Sequence, residues 1–181
     1  MIQLLTRAVN KIRYNHVREA DRSSPQINFM KKHWKLFLCR KEDIPDRWYT
    51  PKGHGCSIHY SDMVFDSIKK YDDLLRAYNI LQDLYHYNRS DTFQESLDFI
   101  DYIVERLKGS GITLLETVGR SYGKWRIEIS DGLARNQSGR YYSNGIAESI
   151  NNNLMTIIKV AYGYHSFDRF RRRSILISRI E

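Results

Sequence analysis

Apolar residues along this chain recur mostly at intervals of three and four, the spacing of one helix face, and alternate nowhere over a useful length. From Met1 to Ala20, Leu5, Ala8, Val9, Ile12 and His16 share a face, while Arg7, Lys11 and Arg18 lie off it. Asp21 to Pro25 is a break with Ser23 and Ser24 available as caps. A second helix is predicted from Gln26 to about Arg40, with Phe29, Met30, Trp34, Phe37 and Leu38 as its buried stripe and Lys31, Lys32 and Lys35 largely opposite. Lys41 to Tyr60 holds Pro45 and Pro51 and keeps no period, so it reads as an irregular loop. Helices resume with a short one over Asp62–Lys69 and a longer one, Asp73–Tyr87, capped by Asp72. Asp91 with Gln94 starts another, ending near Lys108 and closed by Gly109 and Gly111. Thr113 with Glu116 opens the next, carrying Leu114, Leu115, Val118, Tyr122, Trp125 and Ile129, with Gly119 and Gly123 counting against its continuity. The fold class expected is all-α.

The C-terminal part carries the most chemistry. Ser143 and Asn144 can cap a helix from about Ile146 to Ala161, whose core stripe is Ile146, Ile150, Leu154, Ile157 and Ala161. Glu148 falls on the opposite side with Asn151, Asn152, Met155 and Lys159. A carboxylate in the first turn also faces the positive end of the helix dipole, which favours its charge. Taken alone, such a glutamate is a solvated surface residue. After Gly163, Ser166 is placed to cap a last helix, with Phe167, Phe170, Ile175 and Leu176 inward. Arg169, Arg171, Arg172 and Arg173 crowd its start and middle.

Charge sharpens this division. The net charge is +8, and residues 1–41 hold ten lysines and arginines against two acids. Residues 42–139 hold twelve against sixteen, and residues 140–181 seven against three. If the two basic ends pack together they form one positive face suited to a phosphate backbone; otherwise the basic residues are spread around a solvated surface. The whole reads as a single helical domain over 1–181. It comprises basic helices at 1–40, the irregular loop at 41–60, an acidic helical region at 61–135, and the Glu148 helix with the basic last helix at 136–181.

Other chemistry is sparse. No run of 18 apolar residues predicts a membrane span, and no short apolar leader stands at the start. The two cysteines, Cys39 and Cys56, do not make a disulfide framework and fit a reducing cytoplasm. With His54 and His59 they do not follow a zinc-finger spacing. There is no GxSxG, phosphate-binding glycine loop or HExxH.

Ser143-Asn144-Gly145, Glu148, Asn151-Asn152, then Ala161-Tyr162-Gly163-Tyr164, Phe167 and Phe170-Arg171 resemble the C-terminal signature of a family of bacterial insertion-sequence DDE transposases. The match runs over roughly 35 residues without insertion, and it puts Glu148 at the family's final catalytic carboxylate. The first helix, IQLLTRAVNKIRYNHVREA, resembles the one that follows the second catalytic aspartate, which in the family stands a few residues earlier in an Asp-x-Phe-His context. The resemblance therefore implies the C-terminal part of a transposase. The region before Glu148 would be an insertion into a ribonuclease-H-like fold whose sheet and first two acids lie upstream. It implies Mg²⁺-dependent DNA phosphoryl transfer in the full-length protein, with no metal expected on this chain alone and the chain alone inactive. Glu148 would be catalytic and a metal ligand once the upstream acids are present; Asn151, Asn152 and Lys159 would meet DNA, with Arg169, Arg171, Arg172 and Arg173. Implied partners are DNA at transposon ends and a second copy of the chain, paired through apolar faces of the first helix and the Glu148 helix; the implied location is the bacterial cytoplasm, at the nucleoid. The alternatives are a stand-alone helical DNA-binding, assembly or regulatory protein derived from a transposase, and a generic helical interaction domain.

Overall fold

The computed structural model describes residues 2–20, 24–51, 56–87, 92–135, 148, 151–152, 155–156, 159 and 166–178. The chain divides into two compact units, Met1–Arg140 and Tyr141–Glu181. Among the described residues the only sheet is a two-stranded ribbon, and everything else regular is helical, so the fold is all-α as expected.

In the first unit, α1 (Ile2–Glu19) buries Leu5, Ala8, Val9 and Ile12, the stripe its periodicity prescribes. That stripe packs on α4 (Asp72–His86) and α6 (Thr113–Lys124), with α2 (Pro25–Lys32) alongside. The first helix thus docks on the acidic middle, which corrects the expectation that its apolar face stands open for a second copy. Residues 74, 77, 78 and 81 of α4 and 115, 118 and 122 of α6 are buried in the same core. Each fully buried leucine or isoleucine there contributes about 1.5–3 kcal/mol. Tyr122 is the bulkiest buried side chain, and its hydroxyl engages the Leu5 backbone; burial pushes its pKa far up, so it stays a neutral phenol.

Helix α2 is shorter than predicted. It starts with Pro25 in the first turn and stops at Lys32, where His33 leaves helical geometry at φ −111° and ψ 35°. A 3-10 turn, Trp34–Phe37, follows and changes the phase of the stripe. Phe29, Met30 and Phe37 are buried as expected, but Leu38 is half-buried and Trp34 is exposed. The described residues of 41–59 are irregular apart from a second 3-10 turn and the ribbon, β1 (Trp48–Tyr49) paired antiparallel to β2 (Ile58–His59). The segment between the two 3-10 turns is held from α4 by two side chains: Gln82 donates from Nε2 to the Cys39 carbonyl (3.0 Å) and accepts from the Lys41 backbone N–H (3.0 Å), and the Tyr85 hydroxyl donates to the Leu38 carbonyl (2.6 Å).

Helix α3 (Tyr60–Lys69) packs between α2 and α4. Two predicted caps move by one residue. Asp72 lies inside α4, with Tyr71 at the N-cap. α5 (Phe93–Lys108) is capped by Thr92, whose Oγ1 accepts from the Glu95 N–H at 3.2 Å. Gly109 and the left-handed Gly111 (φ 68°) close α5 as predicted. The next helix breaks, but not at a glycine: α6 ends at Lys124, Trp125 turns at φ −108° and ψ 21°, and α7 (Arg126–Leu133) follows. Gly119 instead lets α6 press on α5, since a Cβ there would stand 2.9 Å from Leu107 Cβ. Leu114 and Trp125 are exposed, contrary to the predicted stripe.

In the second unit, residues 148, 151, 152, 155, 156 and 159 are helical, and a last helix spans Phe167–Ser178. The expected stripe Ile146, Ile150, Leu154, Ile157 and Ala161 lies outside the described residues or side chains. In the last helix Phe170 is half-buried and Ile175 is exposed, which corrects its inward placement.

Candidate metal and nucleic-acid interface

Glu148, Asn151, Asn152, Met155, Thr156 and Lys159 are all helical and all exposed. Their separations of three, one, three, one and three residues are those of a single helix face. The face therefore carries one carboxylate, two amides, a thioether and an ammonium. Thr156 is the exception in orientation, because its Oγ1 donates back to the Asn152 carbonyl at 2.9 Å and is spent locally.

Such a face has definite chemical limits. Glu148 offers a hard oxygen ligand, the type that suits Mg²⁺, and the neighbouring amides offer neutral oxygens and N–H donors. A pair of divalent ions needs several carboxylates, and among the described residues no three His, Cys, Asp or Glu side chains converge. Glu148 fits such a site as a contributor and not as its whole. On the last helix, Arg169, Arg171 and Arg172 are exposed, and Arg169 and Arg172 stand one turn apart. The helix also carries Asp168 in its first turn, and its Phe170 N–H reaches the Ser166 carbonyl at 3.2 Å. The Arg173 side chain lies outside the described set.

The loop chemistry of the first unit is turned to structure. His59 Nε2 meets Asp46 Oδ1 at 2.5 Å, and His59 Nδ1 meets Ser61 at the start of α3. Cys39 Sγ donates to the Leu36 carbonyl at 3.4 Å, and burial pushes its thiol up. Cys56 is exposed, and His54 lies outside the described residues. Sequence reasoning missed Arg13, a buried guanidinium that donates to the Met30 carbonyl (2.7 Å) and to Asn10. Its position on the edge of the α1 stripe gave no sign of that role. No helix among the described residues is long and apolar enough to cross a membrane.

No curated protein and no solved structure matches the chain. A family model of the ISL3 type of DDE transposases, described as "Transposase", matches residues 1–174. That span takes in the whole helical first unit, the Glu148 face and the arginines of the last helix. On that match the chain belongs to this transposase family.

Proposed function

We propose that this chain serves DNA transposition by contributing Glu148 as the last carboxylate of a metal-dependent phosphoryl-transfer site. The other carboxylates come from polypeptide outside these 181 residues. The observation that carries the reading is the exposed face on which Glu148, Asn151, Asn152 and Lys159 stand together, inside the span that matches the transposase family.

When bound, a divalent metal pair stabilises the attacking and leaving oxygens of an in-line displacement at phosphorus. The chain's own residues act around that chemistry. Glu148 supplies anionic oxygen to the site. Asn151 and Asn152, three and four residues on, orient that carboxylate or donate to a phosphate oxygen. Lys159 sets a point charge against the strand, and Arg169, Arg171, Arg172 and Arg173 neutralise backbone phosphates. Exposure is what such a face needs, since both strand and metal must reach it. Magnesium dependence, DNA binding and a bacterial cytoplasmic setting all belong to this reading.

The test is Glu148→Gln in a transposase polypeptide that joins these residues to the segment bearing the other acids. Strand cleavage and transfer should be lost, with DNA binding kept within about twofold. Full activity in that variant overturns the reading and leaves a helical DNA-binding or assembly protein as the account.

A further inference from the structure

Two hollows on the first unit adjoin along α2 and share Asn28 and Lys31 in their walls. The larger, about 650 Å³, lies between α2 and the ribbon and takes Lys32, Tyr49 and Thr50 into its lining. The smaller, about 200 Å³, lies between α1 and α2 and is lined by Tyr14, Val17, Arg18 and Ile27 as well. They lie on the two sides of α2, and a strand crossing α2 at Asn28 and Lys31 would follow a track from one to the other.

Its chemistry has one sign. Arg18, Lys31 and Lys32 are exposed; among the described residues no carboxylate lines either hollow and none of the three cations has an ion-pair partner. The ion pairs of this unit among the described residues use other side chains: His16 of α1 with Asp73, and pairs on α4, α5, α7 and the 41–60 loop. Each hollow also holds a tyrosine. Tyr14 is half-exposed, and Tyr49 is braced by edge contacts to Phe29 (5.0 Å) and His33 (5.8 Å), which fix its ring. At the rim, Thr50 Oγ1 lies 2.8 Å from Ser57 Oγ, tying the two strands of the ribbon together.

Cations beside aromatic rings in adjoining hollows are what an unpaired nucleic-acid strand requires. Its phosphates need point charges, and its bases, free of a complementary strand, need a flat ring to stack on. A duplex presents convex rows of phosphate and keeps its bases closed, so hollows with tyrosines inside suit it less. We propose that this track holds a single DNA strand, with Arg18, Lys31 and Lys32 on its phosphates and Tyr14 and Tyr49 against its bases. The choice of DNA rests on the transposition reading, but the site is independent of Glu148.

The experiment is fluorescence anisotropy on the whole 181-residue chain with a labelled 12-nucleotide DNA strand and with the blunt duplex of the same sequence. The variants are Lys31→Gln/Lys32→Gln, Arg18→Gln and Tyr14→Ser. Melting curves check each fold, and all four positions are exposed. The single strand should bind at least about threefold tighter than the duplex. The lysine pair should weaken strand binding about tenfold and flatten its salt dependence by roughly 1.4 in log–log slope, the release from two phosphates. Tyr14→Ser should cost about fivefold for the strand and leave the duplex unchanged. Equal or tighter duplex binding overturns the proposal, as does strand binding that survives the lysine variant. If Arg169→Gln/Arg171→Gln/Arg172→Gln alone removes strand binding, the track is refuted while the Glu148 reading stands. A fully active Glu148→Gln enzyme would sink that reading without touching this one.

Discussion

His16 Nε2 lies 2.7 Å from Asp73 Oδ1 and 2.9 Å from Asp73 Oδ2, while the imidazole stacks on Tyr71 with ring centroids 4.0 Å apart. The contact joins the last turn of α1 to the first turn of α4, across 57 residues of chain. Asp73 is itself held in place, because its Oδ1 also accepts the Leu74 N–H at 2.8 Å. Removing the imidazole leaves that carboxylate half-exposed and still bonded, so the loss is moderate. His16→Ala should cost about 1–2 kcal/mol in urea denaturation. His16→Phe, which keeps the stack, should recover part of it. No change in either variant would mean that α1 is held by its apolar stripe alone.

Two glycines on neighbouring helices should respond to alanine with opposite signs. At Gly119 a new Cβ would meet Leu107 Cβ at 2.9 Å and the Lys108 backbone nitrogen at 3.2 Å. Overpacking of that kind costs about 1–3 kcal/mol and outweighs the intrinsic helical gain. At Gly132, near the end of α7, nothing lies within 4 Å of the new carbon. Gly132→Ala should therefore stabilise by about 0.5–1 kcal/mol. Thermal melts of the two variants check the pair, and a destabilised Gly132→Ala would contradict the helix as described.

Burial lowers the pKa of His33, with Lys32 adding to the effect, and its Nε2 is buried with no partner among the described residues. The neutral ring is the folded form. The unfolded chain takes up a proton near the ordinary value of about 6.5, and the folded chain only at lower pH. Between those values the unfolded state binds more protons, so the stability tied to His33 is present at neutral pH and is lost as pH falls through this window. His33→Gln should flatten the fall of the melting midpoint between about pH 7 and 5. An unchanged pH profile would show that the ring takes up its proton alike in the folded and unfolded chain.

Glu148 is exposed, and its substitution should matter little to folding. In the 181-residue chain, Glu148→Gln should leave the melting midpoint within about 2 °C, the scale of surface substitutions. Magnesium should shift neither protein, because ligand binding raises stability only where a site exists to bind it. A destabilisation of many degrees would make Glu148 a structural residue, and a magnesium-dependent rise would reveal ligands within this chain.

Most helices were legible because burial enforces their period: the stripe of α1 and the glycine stop after α5 follow directly from the residues. What was not legible is decided by tertiary contacts. The stop of α2 at His33 and the turn at Trp125 replace helix with geometry that suits neighbours, and neither residue signals a break. The cap of α5 slipped from Asp91 to Thr92, a neighbour of similar capping power, whereas α4 starts a residue earlier behind Tyr71, which makes no side-chain cap bond, and so takes Asp72 inside. At the candidate site, the helical spacing of Glu148, Asn151, Asn152 and Lys159 could be read from the chain, and so could the arginine cluster. The track on the first unit could not. Tyr14, Lys31 and Tyr49 belong to three elements, and no local pattern announces that they line adjoining hollows.

Gln82 amounts to a strand one residue long. Its side-chain amide meets the carbonyl of Cys39 and the N–H of Lys41 as a neighbouring peptide group would, so residues 39–41 are paired with a helix instead of a sheet. Both ends of the amide matter, and glutamate is not a substitute for it. A carboxylate would still accept from Lys41 but would set oxygen against oxygen at Cys39. The chain that leaves α2 and returns as the ribbon is thus moored at mid-course, with the Tyr85 hydroxyl on the Leu38 carbonyl as a further line, and a single-atom change from nitrogen to oxygen is enough to cut one of the two that Gln82 supplies.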